Sequence, residues 1–297
     1  MNKGIVYMIL SSLAFSIQNV IVKELSYAMG TGEIAFIRGC LSAALMFGLM
    51  RAYHIHFSKY DRPALLFRGV MGGGGMICTF YALRGMPLAD ISILSQLSAF
   101  FVMIFAVVFL KDAFPKGAAM PLIGIVAGAC LVVRPWNFSS FNVYSFFVLA
   151  QALFAAIAYT TISRLTGSGR HHQYEIVFYF LVCAALSGAV LMGMGGDIRV
   201  PETKEWGMFA VLAVTTLAAQ ILMTDAYSYG NAVVVSFVAY IAVVFNALWG
   251  FVFFDEVVTV LTVIGGVCIV GSSMYLTKLK HDAVMTKGRT VFVRKAR

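Results

Sequence analysis

Ten stretches of apolar residues separated by short polar connections follow one another along the chain, at roughly 3–22, 34–50, 65–83, 91–110, 117–134, 143–163, 174–194, 206–223, 232–254 and 257–276. Most reach the ~17–25 residues that a helix needs to cross ~30 Å of hydrocarbon. The few polar residues inside them recur at helical spacing. Ser92, Ser95, Gln96, Ala99 and Met103 share one face of the fourth stretch, and Ser236, Tyr240, Val243 and Ala247 share one face of the ninth. Gln18 and Asn19 stand in the first, Gln151 and Tyr159 in the sixth, and Thr216, Gln220 and Tyr227 on a stripe of the eighth. Polar groups are costly in lipid, so these faces are predicted to look into the bundle and line a cavity. For each residue taken singly, an interhelical hydrogen bond worth ~1 kcal/mol is the competing role.

The pattern repeats. Glu33-Ile34-Ala35-Phe36 opens one apolar stretch and Glu175-Ile176-Val177-Phe178 opens another, 142 residues later. Ser92, Phe101, Phe109 and Asp112 fall in register with Ser236, Phe245, Phe253 and Glu256 at an offset of 144, which pairs Gln96 with Tyr240. Each half holds five stretches. Because five is odd, the second half must enter the membrane in the opposite sense, which predicts an all-α membrane protein of ten transmembrane helices in two inverted five-helix repeats. The expected divisions are 1–134 and 143–276 for the repeats and 277–297 for a basic tail, with the boundary at Arg134-Pro135-Trp136-Asn137.

Composition agrees with a membrane protein: of 297 residues, 61% are hydrophobic and only 12% charged, against ~45–50% and ~25% in soluble domains. The first stretch follows Lys3 without a small-residue cleavage pattern, and is expected to be a retained signal anchor. Cys40, Cys78, Cys130, Cys183 and Cys268 each stand alone within an apolar stretch and are expected to pack rather than bridge or bind metal. The net charge of +9 is distributed by side rather than gathered into a nucleic-acid patch: with the N-terminus inside, fifteen Lys and Arg fall on that side and five on the other. Both termini are therefore expected in the cytoplasm of a bacterium whose inner membrane holds the protein, with the tail against anionic headgroups.

All six prolines lie in connections or near the ends of stretches, so any hinge at mid-membrane is expected to use glycine. Gly72-Gly73-Gly74-Gly75 in the third stretch serves either close helix packing or a locally opened turn. Arg38, early in the second stretch, is the costliest residue to bury. It is expected near the outer surface, where it either meets a carboxylate or phosphate of a substrate or pairs with Glu33. Arg68 is expected to snorkel to headgroups. Asp225 and Glu175 cap interfacial helix ends or bind a cation or a coupling proton. His171-His172 reads as a solvated loop pair. Tyr81, Tyr159, Tyr179, Tyr240 and Trp249 could stack on a flat or cationic solute.

Glu33-Ile34-Ala35-Phe36-Ile37-Arg38, Phe80-Tyr81-Ala82-Leu83-Arg84, and Phe109-Leu110-Lys111-Asp112 with its partner Phe253-Phe254-Asp255-Glu256 resemble the drug/metabolite transporter superfamily in its EamA-type branch. The resemblance covers about residues 5–276 and implies ten helices, an inverted repeat and a central cavity open alternately to each side. It matches Arg38 to the arginine usual early in helix two. Asp225-Ala226-Tyr227-Ser228-Tyr229-Gly230 followed by Tyr240 looks like the branch of S-adenosylmethionine and riboflavin carriers. Where the family often carries proline in helices four and nine, this chain has Ala99 and Val243, and Asp112 stands in place of glutamate.

The expectation is thus a secondary-active transporter of a small polar metabolite, with a multidrug or cationic-compound exporter and a non-transporting scaffold as alternatives. No histidine lies within a stretch to act as a base, so an intramembrane enzyme is not expected. The expected substrate residues are Gln18, Asn19, Arg38, Tyr81, Ser92, Gln96, Gln151, Tyr159, Tyr179, Gln220, Asp225, Tyr227, Tyr240 and Trp249. No cofactor is expected. The partners are a small-molecule substrate and membrane lipids but not nucleic acid, and the assembly is a monomer or a homodimer.

Overall fold

The computed structural model describes residues 3–58, 60–98, 119–133, 143–167, 171–195, 199–229 and 238–272, and singly 101, 105, 117, 274, 275, 278 and 279. Ten helices carry them, one for each predicted stretch: α1 (Lys3–Leu25), α2 (Thr31–Ala52), α3 (Arg62–Leu83), α4 (Leu88–Ser95), α5 (Ala119–Val133), α6 (Val143–Gly167), α7 (Gln173–Gly195), α8 (Thr203–Tyr229), α9 (Ile241–Phe254) and α10 (Val260–Ser272). Five of them are each long and apolar enough to cross a membrane, and three shorter apolar helices accompany them. The boundary at 134–137, Ala99, Met103, Asp112, Ser236 and the basic tail from 280 onward lie outside the described residues.

The contacts between equivalent helices fix the sense of the repeats. A Cβ built on Gly32 would fall 2.6 Å from the backbone nitrogen of Met192, and one on Gly39 would fall 2.7 Å from the backbone of Ala185. Rising numbers on α2 meet falling numbers on α7, so these two equivalents run antiparallel. The same holds elsewhere. Gly124 meets Ser272 and Gly128 meets Cys268 across α5 and α10, while on α4 and α9 Leu88 meets Glu256 and Ser92 meets Asn246. The packing is also closed under exchange of the halves: α1 lies on α8 as α6 lies on α3, and α3 touches α7 as α8 touches α2. The two repeats are inverted.

The glycine run sits inside an unbroken α3, so the packing role is the one observed. Gly69 abuts Cys183, Gly73 abuts Ala184, and Gly75 abuts Phe154, which lets α3 wedge between α6 and α7 with backbones close. The main apolar core runs through this wedge, with Phe80, Leu83, Leu94, Val148, Ala152, Leu181 and Ala184 all buried.

Turns interrupt α4 and α9 without glycine or proline. Gln96 (φ −66°, ψ −14°) closes α4, and Tyr240 (φ −63°, ψ −16°) precedes α9 in a turn, at the positions paired by the 144-residue register. A polar side chain near each turn bonds back to its own helix: the Ser95 hydroxyl donates to the Ile91 carbonyl at 2.8 Å, and Asn246 Nδ2 donates to the Ala242 carbonyl at 2.7 Å. The same bond recurs within unbroken helices, from Thr79 to Gly75 and from Thr224 to Gln220, so it accompanies these turns without accounting for them.

Candidate functional site

Three polar clusters tie the repeats together, and five of the predicted site residues, Gln18, Asn19, Arg38, Ser92 and Trp249, fall within them. The first surrounds Arg38, which is 1% exposed. Its Nε donates to Thr216 Oγ1 at 2.8 Å and its Nη2 to Gln18 Oε1 at 3.1 Å, while Nη1 points at the Met76 sulfur. Thr216 also donates to Gln18 Oε1 at 2.9 Å, and the Phe80 ring lies 5.3 Å from the guanidinium carbon. The expectation of a surface-near arginine paired with Glu33 is overturned. One turn of α2 carries the guanidinium inward, so it is saturated by α1, α3 and α8 while Glu33 faces the helix end.

The second cluster lies along α1, α4 and α9. Asn19 Nδ2 donates to Asn246 Oδ1 at 3.1 Å, and Asn246 Nδ2 reaches the Ser92 hydroxyl at 3.4 Å. Trp249 Nε1 donates to Ser16 Oγ at 3.0 Å. Asn246 was missed by sequence reasoning, although it lies three residues from both Val243 and Trp249, along the stripe that was seen. Trp249 is thus an interhelical donor rather than an open stacking surface.

The third cluster closes the end of the bundle where α1, α4 and α9 meet. Lys23 forms a short ion pair with Glu256 and donates to the Met86 carbonyl at 2.8 Å; Glu256 in turn accepts the Leu88 N–H at 2.8 Å, the first residue of α4. A carboxylate at a helix N-terminus is favoured by the free N–H groups and the dipole there. Both residues stand at the ends of stretches and read in sequence as connection charges, yet Lys23 is 6% exposed.

At this same end Glu33 accepts the Gly30 N–H at 2.9 Å and the backbone N–H of Arg199, whose guanidinium reaches the Ala28 carbonyl at 2.9 Å. At the opposite end Glu175, fully buried, accepts the Ser58 N–H at 2.8 Å and contacts His171 Nδ1 at 3.2 Å. The His171 side chain is 1% exposed, so only His172 of that pair is solvated, a correction that follows from Glu175 drawing the ring in. Asp225 accepts Gln173 Nε2 at 2.9 Å and joins α8 to α7. An open cleft of about 570 Å³, lined by His54, His56, Ser58, Tyr60, His172 and Glu175, marks this end. No group of three or more metal-ligating side chains occurs among the described residues.

The remaining predicted residues divide. Tyr81 stacks on Phe147 (5.1 Å, 17°), and Tyr179 meets Phe57 edge-on, so both serve helix packing. Gln96 and Tyr240 are half-buried at their turns. The side chain of Tyr227 lies outside the described residues. Gln151 and Gln220 each bury a side-chain oxygen that has no hydrogen-bond partner, and Tyr159 is 43% exposed although it continues the stripe of Ala152 (0%) and Ala155 (9%) that packs on α3. Arg68, expected at the lipid surface, is instead 4% exposed and lies over the Phe180 ring at 4.3 Å. The glycines around it draw α7 over the arginine before it can reach the headgroups.

With this geometry in hand, comparison with known proteins is informative. The model of the EamA-like transporter family matches residues 2–134 and again 142–278. The pseudopaline exporter CntI of Pseudomonas aeruginosa is 41% identical over 281 residues, covering 94% of this chain and 98% of its own. A riboflavin transporter of Brucella anthropi is 28% identical over 214 residues, covering 71% of this chain and 75% of its own. A crystal structure superposes with a TM-score of 0.67 over 94% of this chain and 98% of its own, at 15% identity, which speaks to the fold alone.

Proposed function

The chain belongs to the EamA-like transporter family, and from that premise we propose that it carries a small polar metabolite across a bacterial inner membrane by alternating access to a cavity between its repeats. It is an integral membrane transporter and not an enzyme. The finer reading places the metabolite among amino-acid, nucleoside-like or vitamin-like solutes, with export as the direction after the 41% identical relative. The charge bias of fifteen to five supports cytoplasmic termini, with the Glu33 end outside.

One observation carries this reading. Arg38, Gln18 and Thr216 satisfy one another across the repeats and Lys23 pairs with Glu256, whereas Gln151 and Gln220 inside the bundle, like Thr31 at the Glu33 end, keep buried side-chain oxygens without partners. Buried polar atoms are ordinarily satisfied, so atoms left open in a bundle await something that comes and goes. Gln96 and Tyr240, at their paired turns, stand where half-helices can expose backbone to a solute. Two buried guanidinium groups, Arg38 and Arg68, disfavour a cationic cargo.

The test is counterflow in proteoliposomes with a labelled panel of amino acids, nucleosides, amines and vitamins. Accumulation of one compound is expected. A panel on which none moves would refute the proposal.

A further inference from the structure

Arg38 and Arg68 are both buried inside the bundle, but they are not equivalent. Every nitrogen of Arg38 has a partner on another helix. Arg68 has none at Nε or Nη1, and no carboxylate among the described residues pairs with it. What it has is shape. The Phe180 ring supports one face of the guanidinium at 4.3 Å. Gly72, one turn further along α3, lets the guanidinium lie close against the helix, because a Cβ there would fall 2.8 Å from Nη1. Tyr159 and Cys183 are the polar neighbours within electrostatic reach. Tyr159, 43% exposed, is the neighbour of Arg68 that reaches the surface of the bundle. A buried charge without a partner is among the most destabilising groups a membrane protein can hold, and a planar fork of free donors matches an oxyanion.

We propose that Arg68 is an anion-binding point: its Nε and Nη1 donate to an oxyanion, carboxylate or phosphate, with Phe180 beneath and Tyr159 at the entrance. Where the bound anion is the cargo, the transported metabolite bears such a group. Arg38, for which the sequence left charge recognition and a structural pairing open, is a cross-tie between repeats. The inference rests on the transport reading only in naming the anion as cargo. Binding at Arg68 without counterflow of any compound would remove the transport reading and leave the site, and counterflow without an anion response at Arg68 would do the reverse.

Two sources could supply the oxyanion, a soluble carboxylate or a lipid headgroup, and one experiment separates them. The purified full-length chain is melted in detergent with and without glutarate, with its neutral diamide as control, and in nanodiscs of phosphatidylglycerol or phosphatidylcholine. A soluble cargo raises the melting temperature with glutarate but not with the diamide; a headgroup raises it in phosphatidylglycerol only. In either case Arg68→Met abolishes the rise, and Arg68→Lys, a point charge without the fork, keeps part of it. Without anion, Arg68→Met should melt above the parent, since it removes a buried charge with two unmet donor nitrogens. The proposal is overturned if Arg68→Met melts lower or fails to fold, or if neither anion distinguishes it from the parent.

Discussion

Glu33 and Glu175, 142 residues apart, each accept a backbone N–H from the loop that follows the other's helix: Glu33 holds Arg199 after α7, and Glu175 holds Ser58 after α2. Since α2 and α7 run antiparallel, the two contacts lie at opposite ends of the bundle. Glu33→Ala and Glu175→Ala should therefore destabilise the protein by similar amounts, about 1–3 kcal/mol each for a buried donor left unmet. Thermal melts of the two variants test this, and a large loss in one with none in the other would contradict it.

The pair Lys23 and Glu256 should behave as a coupled unit. Removing one partner leaves the other buried and uncompensated, so Lys23→Ala and Glu256→Ala should each melt below the double variant or equal to it. A double-mutant cycle should return a coupling of about 0.5–3 kcal/mol. Strict additivity would mean that the ion pair contributes nothing to closing this end.

Arg38→Lys should cost at least about tenfold in counterflow, although the charge is kept, because one ammonium cannot hold Thr216 Oγ1, Gln18 Oε1 and the Met76 sulfur from a single fork. The melting temperature should fall as well. Wild-type rates for the lysine variant would show that only the charge matters.

Gln96→Ala combined with Tyr240→Ala should lower counterflow strongly while shifting the melting temperature little, since both side chains are only half-buried at their turns. A collapse in stability with normal specific transport would instead assign the pair a purely structural part.

Helices α5 and α10 meet glycine to glycine: a Cβ on Gly128 would fall 2.7 Å from the Gly265 carbonyl, and the converse holds at the same distance. Gly128→Leu or Gly265→Leu should remove the monodisperse species on size-exclusion chromatography. Gly271→Leu, on the same α10 but with nothing within 4 Å, should not.

The ten helices and their inversion were legible in the sequence because apolar length and an odd number of segments per half fix them with little room for choice. The inward faces were also legible at Gln18, Asn19, Ser92, Gln151 and Gln220, since helical spacing reports which face is polar. It does not report which neighbour meets that face, so the joining of Asn19 to Asn246 and of Gln18 to Arg38 and Thr216 needed coordinates. Charges at the ends of apolar stretches mislead in a particular way. Lys23, Arg68 and Glu256 look like interfacial residues because position along a helix gives depth but not whether a neighbouring helix covers it. The turns at Gln96 and Tyr240 escaped notice because neither glycine nor proline marks them.

The crossed glutamate contacts make each half of the molecule the other's fastener. A five-segment fragment would carry its clasp but not the loop it clasps, and its bare glycine seam would face lipid without a mate. Two such fragments made together in one cell should reassemble into a working carrier, while either alone should be degraded.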